Sequence, residues 1–204
     1  MQSLLPSDPA PIRIERFVEK QFKAPLRYED LGPEHLGCTI FNSSGGVEAI
    51  LVSRLLEEQN TIPARRRVRS TVAHEAGHGL LHGPLFSEGN SGAPLNDAPG
   101  EKQPLILCRS EDILVDAQRS YAGRWWEFQA NQAMGSLLLP SLLMNAFLKR
   151  SGIEPSSFAS RILTLPQREA LIKKAAVIFD VNPIVVRIRL DSLFPQKKNE
   201  KIHF

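Results

Sequence analysis

Arg65-Arg66-Arg67-Val68-Arg69-Ser70-Thr71-Val72-Ala73-His74-Glu75-Ala76-Gly77-His78-Gly79-Leu80-Leu81-His82 contains no proline, and Val68, Val72, Ala76 and Leu80 recur at i, i+4. That periodicity predicts one continuous helix over about 65–82 with an apolar stripe for packing. Within it, His74-Glu75-Ala76-Gly77-His78 matches H-E-x-x-H. Positions i and i+4 of a helix face the same side, so two imidazoles can grip one metal ion. Glu75 projects beside the pair, where a carboxylate can take a proton from a water that the cation has acidified. The short pattern also arises by chance, but three of the chain's five histidines lie between 74 and 82.

A catalytic zinc takes three protein ligands and keeps one position open, so a further His, Glu or Asp is required. The extension H-E-x-x-H-x-x-G-x-x-H of astacin-like and matrix-protease-like enzymes would need glycine at 81 and histidine at 84, where this chain has Leu81 and Pro84. Glu101, Glu111 and Asp112 fall in or beside a stretch rich in Gly, Pro, Ser and Asn. Glu127 lies instead on a second long helix expected over about 124–139, which Pro140 ends or kinks. Glu127 is therefore the preferred third ligand.

Outward from these helices, a proline-rich lead over 1–11 precedes Ile14, Phe17, Val18 and Phe22, which recur at helical spacing. Three short strands are expected at Leu26 to Tyr28, Cys38 to Phe41 and Val47 to Val52, with a further short strand at Leu105 to Cys108. Residues 168–179 and 184–193 read as two more helices, Pro183 opening the second. The expected fold is α+β, a small antiparallel three-stranded sheet packed on a mainly helical domain that holds the metal between two helices. One metallopeptidase domain is expected over 12–194, its C-terminal helical part over about 167–194, followed by a basic tail over 195–204.

The 204 residues carry 25 Lys and Arg against 22 Asp and Glu, a formal net charge of +3, too small a surplus to announce a nucleic-acid binder. The arginines at 65, 66, 67 and 69 read as solvated surface. Cys38 and Cys108 are in no C-x-x-C arrangement, which fits a reducing compartment. Cys108 reads as a small buried apolar residue. The N-terminus lacks the pattern of a signal peptide, and Met134 to Leu148 is too interrupted to span a bilayer. A cytoplasmic protein with no membrane contact is expected.

Two separated motifs then carry a family resemblance. Glu127-Phe128-Gln129-Ala130-Asn131, continuing to Leu137-Leu138-Leu139-Pro140, resembles the E-x-x-A-N segment ending in L-L-x-P of the ImmA/IrrE family of metallopeptidases. Arg69-Ser70-Thr71-Val72-Ala73-His74-Glu75 is similar to that family's R-x-T-x-A-H-E lead, and Leu81-His82 to its common L-H ending. The resemblance covers roughly residues 12–194. It departs at Ala133-Met134, where the family usually has Phe-Ala, and in a longer span between the motifs. The resemblance implies a zincin-like fold of gluzincin type and a zinc-dependent endopeptidase with His74, His78 and Glu127 as ligands. It also implies a protein substrate inside the cell, in this family often a helix-turn-helix repressor.

Around this core, His82 is assigned to orienting a ligand or to structure, with an additional ligand as the lesser reading, and Asn131 to hydrogen-bonding either a metal ligand or the helix surroundings. Tyr121, Arg124 and Arg69 are candidates to stabilise the oxyanion. Trp125 and Trp126 could line a cleft, although aromatic residues at a helix start more often pack in the core. Zinc is the default metal, and manganese or iron also suits a His/His/Glu set. Two other readings compete: a DNA-binding helix-turn-helix over 171–193, whose second helix offers only Arg187 and Arg189 as polar reach, and a metal-binding regulator without catalysis. Glu75, which no ligand set requires, counts against the latter.

Overall fold

The computed structural model describes residues 8–86, 105–109, 124–153 and 163–194. The fold is α+β, with seven α-helices and one four-stranded sheet among the described residues. Helix α1 (Ile14–Phe22) buries Ile14 and Val18 and ends at Lys23 in a left-handed conformation, φ 55°. Strands β1 (Leu26–Glu29), β2 (His35–Phe41) and β3 (Val47–Ser53) follow, and β4 (Leu105–Arg109) completes the sheet.

The order is β1-β3-β2-β4. β2 pairs antiparallel with both neighbours, but β1 runs parallel to β3. The expected three-stranded antiparallel sheet is thus corrected to a four-stranded mixed one. The hairpin between β2 and β3 was readable from the turn at Asn42-Ser43-Ser44-Gly45-Gly46, where the Asn42 side chain accepts from the Ser44 and Gly46 amides. The partners of β1 and β4 lie far along the chain and left no local trace.

After the short helix α2 (Arg54–Glu58), helix α3 (Ile62–Leu81) begins three residues before the expected Arg65. Thr61 caps it, its hydroxyl accepting from the Ala64 amide at 3.2 Å. Pro63 sits in the first turn, where no intrahelical donor is lost. Both sides of α3 are covered, by β2 and β3 on one and by α4 (Trp125–Leu138) on the other. Val72, Ala73 and Ala76 are accordingly buried.

Pro140 interrupts α4, and α5 (Ser141–Arg150) starts beyond it. Arg189 spans the break: it donates to the Leu139 carbonyl at 3.0 Å, Ser136 Oγ at 3.2 Å and Ser141 Oγ at 2.7 Å. Helix α6 (Leu165–Ile178) opens with a capping box of Thr164 and Gln167. Asn182 caps α7 (Pro183–Leu193). One apolar cluster runs from Ile14 through Val72 and Met134 to Phe194, joining helices and sheet around a shared core. Among the described residues no helix is long and apolar enough to cross a membrane.

The basic cluster is less solvated than expected. Asp180, held at φ 48° at the end of α6, receives Arg66 at 2.9 Å and Arg65 at 3.2 Å, tying the α6–α7 turn to α3. Those two guanidiniums outweigh partial burial and hold the Asp180 carboxyl below its usual range.

Candidate metal centre

His74 and His78 leave α3 on the side facing α4, and Glu127 leaves the first turn of α4 toward them. Glu127 Oε2 stands 2.9 Å from His74 Nε2 and 3.5 Å from His78 Nε2, and the two Nε2 atoms are 3.0 Å apart. All three residues are buried, the histidines completely. They form a group able to hold a metal ion. One close approach at a glycine makes this possible. A Cβ on Gly77 would lie 3.0 Å from the Ala130 carbonyl oxygen and 3.0 Å from Ala133 Cβ, so α3 and α4 meet there almost backbone to backbone.

The donor set fits a divalent cation. Two imidazole nitrogens and a carboxylate are the ligand types that zinc takes, and Glu127 Oε1 is a buried oxygen with no hydrogen-bond partner. Burial pushes the Glu127 carboxyl up, but the hydrogen bonds and charge of His74 and His78 win and hold it well below the carboxylate range. Burial likewise opposes charge on His74, but the Glu127 hydrogen bond and charge, with Glu75 and Asn131, raise its pKa. His78, desolvated and repelled by a charged His74, is pushed down to about 4 despite Glu127.

The residues around this trio come from α4 and from the C-terminal end of α3. Asn131, one turn after Glu127, meets His74 Nδ1 with its Oδ1 at 3.1 Å. His82 Nδ1 lies 2.9 Å from His78 Nδ1, and His82 Nε2 lies 3.1 Å from Gln129 Oε1. Trp125 sets its ring edge-on to His82, centroids 5.5 Å apart, while Trp126 packs against the small cluster of Phe41, Phe86 and Ile106.

Glu75 is fully buried between α3 and β2. Thr39 donates its hydroxyl to Glu75 Oε2 at 2.6 Å, and Gly37 leaves room for the carboxylate, since a Cβ there would stand 2.6 Å from Glu75 Oε1. Cys108, paired with Gly37 across β2 and β4, is also fully buried, and its sulfur lies within 4.8 Å of ligand atoms of His74 and Glu75. Thr39, Gly37, Cys108 and Gln129 were not singled out for the site from the sequence. The two-residue alternation of a strand puts Gly37 and Thr39 on one face, but only the tertiary fold says that α3 lies on it.

Comparison with protein families, with curated proteins and with solved structures gives no match.

Of the remaining candidates, Arg69 is not at the centre. It donates from Nη2 to the Ile12 carbonyl at 2.6 Å, tethering the lead of α1. Five residues before His74, a helix has turned by about 140°, which carries Arg69 to another face. Arg124 precedes α4, its carbonyl accepting from the Glu127 amide. Tyr121, Glu101, Glu111, Asp112 and most of the Gly/Pro-rich region lie outside the described residues, as does the basic tail. Neither cysteine is in a disulfide.

Proposed function

We propose that the protein is a metal-dependent endopeptidase of the ImmA/IrrE kind, with a zincin-like arrangement in which His74, His78 and Glu127 hold the metal and Glu75 is the general base. The observation that carries this reading is the convergence of two Nε2 atoms and Glu127 Oε2 within 3.5 Å, from two helices, beside a carboxylate that is not one of the three. A divalent cation bound there would acidify a water and polarise a substrate carbonyl. Zinc suits the ligands best, and manganese or iron is the alternative.

Glu75 then takes the proton of the attacking water and delivers it to the leaving amine, which general acid–base catalysis of peptide hydrolysis requires. Thr39 restrains that carboxylate through the 2.6 Å hydrogen bond, and Gly37 admits it against β2. Asn131 and His82 orient the two imidazoles. The substrate proposed is an intracellular protein, with a helix-turn-helix repressor as the first class to try, and the chain is placed in the cytoplasm.

The DNA-binding reading gains no support from α6 and α7. Arg189 is buried and engaged with Leu139, Ser136 and Ser141, Arg187 pairs with Glu169, and Arg168 pairs with Asp191. No arginine of α7 is left to reach a base edge.

Elemental analysis of the purified chain beside Glu127→Ala and Glu75→Gln tests the assignment, together with mass spectrometry of a peptide library incubated with each. Stoichiometric metal in wild type and Glu75→Gln, loss in Glu127→Ala, and cleavage by wild type alone are expected. Metal without cleavage in wild type would leave a metal-binding regulator, and full metal retention in Glu127→Ala would remove the third ligand.

A further inference from the structure

The contacts of His78 and His82 constrain where their ring protons lie. His78 presents Nε2 to His74 and Glu127, and its Nδ1 lies 2.9 Å from His82 Nδ1. Two ring nitrogens at that separation share a single proton, because two N–H groups would collide and two lone pairs would repel. We propose that His82 is a positioning residue that fixes His78 in the tautomer able to bind a metal, and that Gln129, at the exposed end of the chain, sets the direction of the whole relay.

This inference rests on the metal centre proposed above. To offer a lone pair at Nε2, a neutral His78 must carry its proton on Nδ1, so His78 donates and His82 Nδ1 accepts. A neutral His82 accepting at Nδ1 carries its own proton on Nε2, 3.1 Å from Gln129 Oε1, which accepts it. Every bond then points outward, from His78 through His82 to Gln129. The reverse polarity is also self-consistent. Gln129 turned over would donate its amide N–H to His82 Nε2, His82 would donate from Nδ1, and the His78 proton would move to Nε2, where it blocks the metal. Which polarity holds is decided at Gln129, by whether an acceptor or a donor faces His82.

The neighbouring ligand shows the contrast. His74 Nδ1 meets the amide oxygen of Asn131 at 3.1 Å, a single acceptor on the adjoining helix α4. His78 has an imidazole in that role, able to accept or donate, and so needs a further residue to choose. His82 is itself held in place: it is buried, it closes α3 through its amide to the His78 carbonyl at 2.9 Å, and Trp125 lies edge-on to its ring. Gln129 is exposed. Substitutions there alter the relay without opening the core.

The test is a Co2+ titration of the full chain against a competing chelator, for wild type, His82→Phe, His82→Asn, Gln129→Glu and Gln129→Lys. Phe keeps the ring and removes the acceptor, and about 10- to 100-fold weaker binding is expected, as for other lost partners of ligand histidines. Asn carries its Oδ1 close to where Nδ1 stood and should restore most of the affinity, a rescue that a purely packing role would not give. Glu at 129 can only accept and should bind Co2+ at least as well as wild type, whereas Lys, which can only donate, should weaken it. In the Zn2+-loaded protein, long-range 1H–15N correlation should show His82 protonated at Nε2 and bare at Nδ1. Equal Co2+ affinity in wild type, His82→Phe and Gln129→Lys, or a His82 protonated at Nδ1, would overturn the relay while leaving the metal centre standing. Failure of wild type to bind Co2+ or Zn2+ would remove the metal centre and the relay with it. Should His82→Phe fail to fold, the opposed Gln129 pair decides the matter.

Discussion

Gly77→Ala isolates the spacing between the two ligand-bearing helices. The added Cβ would lie 3.0 Å from the Ala130 oxygen, 3.0 Å from Ala133 Cβ and 3.2 Å from Ala130 Cα, in a contact made of backbone that cannot swing aside. Ordinary van der Waals contact begins at about 3.4 Å, so α4 must give way by a few tenths of an ångström. Ligand positions around a metal are held to about 0.2 Å, and Glu127 lies one turn from Ala130 on the same helix. Stability is pulled both ways. Alanine is better than glycine inside a helix by about 1 kcal/mol, and overpacking costs about 1–3 kcal/mol, leaving a net loss of about 0–2 kcal/mol. Metal affinity has no compensating gain, and a loss of about tenfold or more is expected, comparable to the removal of a ligand's supporting partner. Chelator competition with Zn2+ measures the affinity, and thermal melts of the metal-free protein measure the stability. A variant less stable than wild type yet equal in Zn2+ affinity would show that helix spacing at Gly77 does not set the ligand geometry.

Acid should destabilise the metal-free protein in a defined window. His78 is pushed from 6.5 to about 4, so below pH 6.5 the unfolded chain takes up a proton that the folded one refuses, and stability falls until about pH 4 by about 3 kcal/mol. His82 shifts in the same direction, and Glu127, whose pKa is lowered from 4.5, adds a loss below that pH. His74, raised above 6.5, acts oppositely: its contribution is complete below pH 6.5 and disappears as pH rises through its folded value. Urea midpoints measured in chelator from pH 8 to pH 4 check the sum, and a flat profile from pH 6.5 to 4 would contradict it. Gly37→Ala should drive the Glu75 carboxylate off β2, since the new Cβ would stand 2.6 Å from both Glu75 Oε1 and Thr71 Cγ2. A loss of about 1–3 kcal/mol in urea unfolding with metal content unchanged is expected, and metal loss would show that Glu75 placement and ligand placement are coupled.

Local periodicity made much of the helical frame legible. α3, α4, α6 and α7 were expected within a few residues of where they lie, because apolar spacing, Pro183 at the opening of α7 and the stop at Pro140 all act over one or two turns. His74 and His78 followed from the same geometry, since i and i+4 share a face whatever the rest of the chain does. The short helix α2 was not anticipated, and its five residues are too few to show a period.

Contacts between distant segments needed the tertiary structure. The parallel pairing of β1 with β3 depends on which strand arrives alongside, and no residue of Leu26–Glu29 encodes that by itself. Arg69 entered the site list by nearness in sequence and left it by helical rotation, its guanidinium bound to Ile12. Cys108 and Thr39 approach Glu75 from strands that sequence alone could place but not orient toward α3. By itself, the sequence determined the chemistry on each helix, two imidazoles on one and a carboxylate on the other. The distance between Glu127 and the histidine pair was decided only by the packing of α3 on α4 at Gly77, because a chain separation of about fifty residues closes through the burial of a shared core rather than through any local preference.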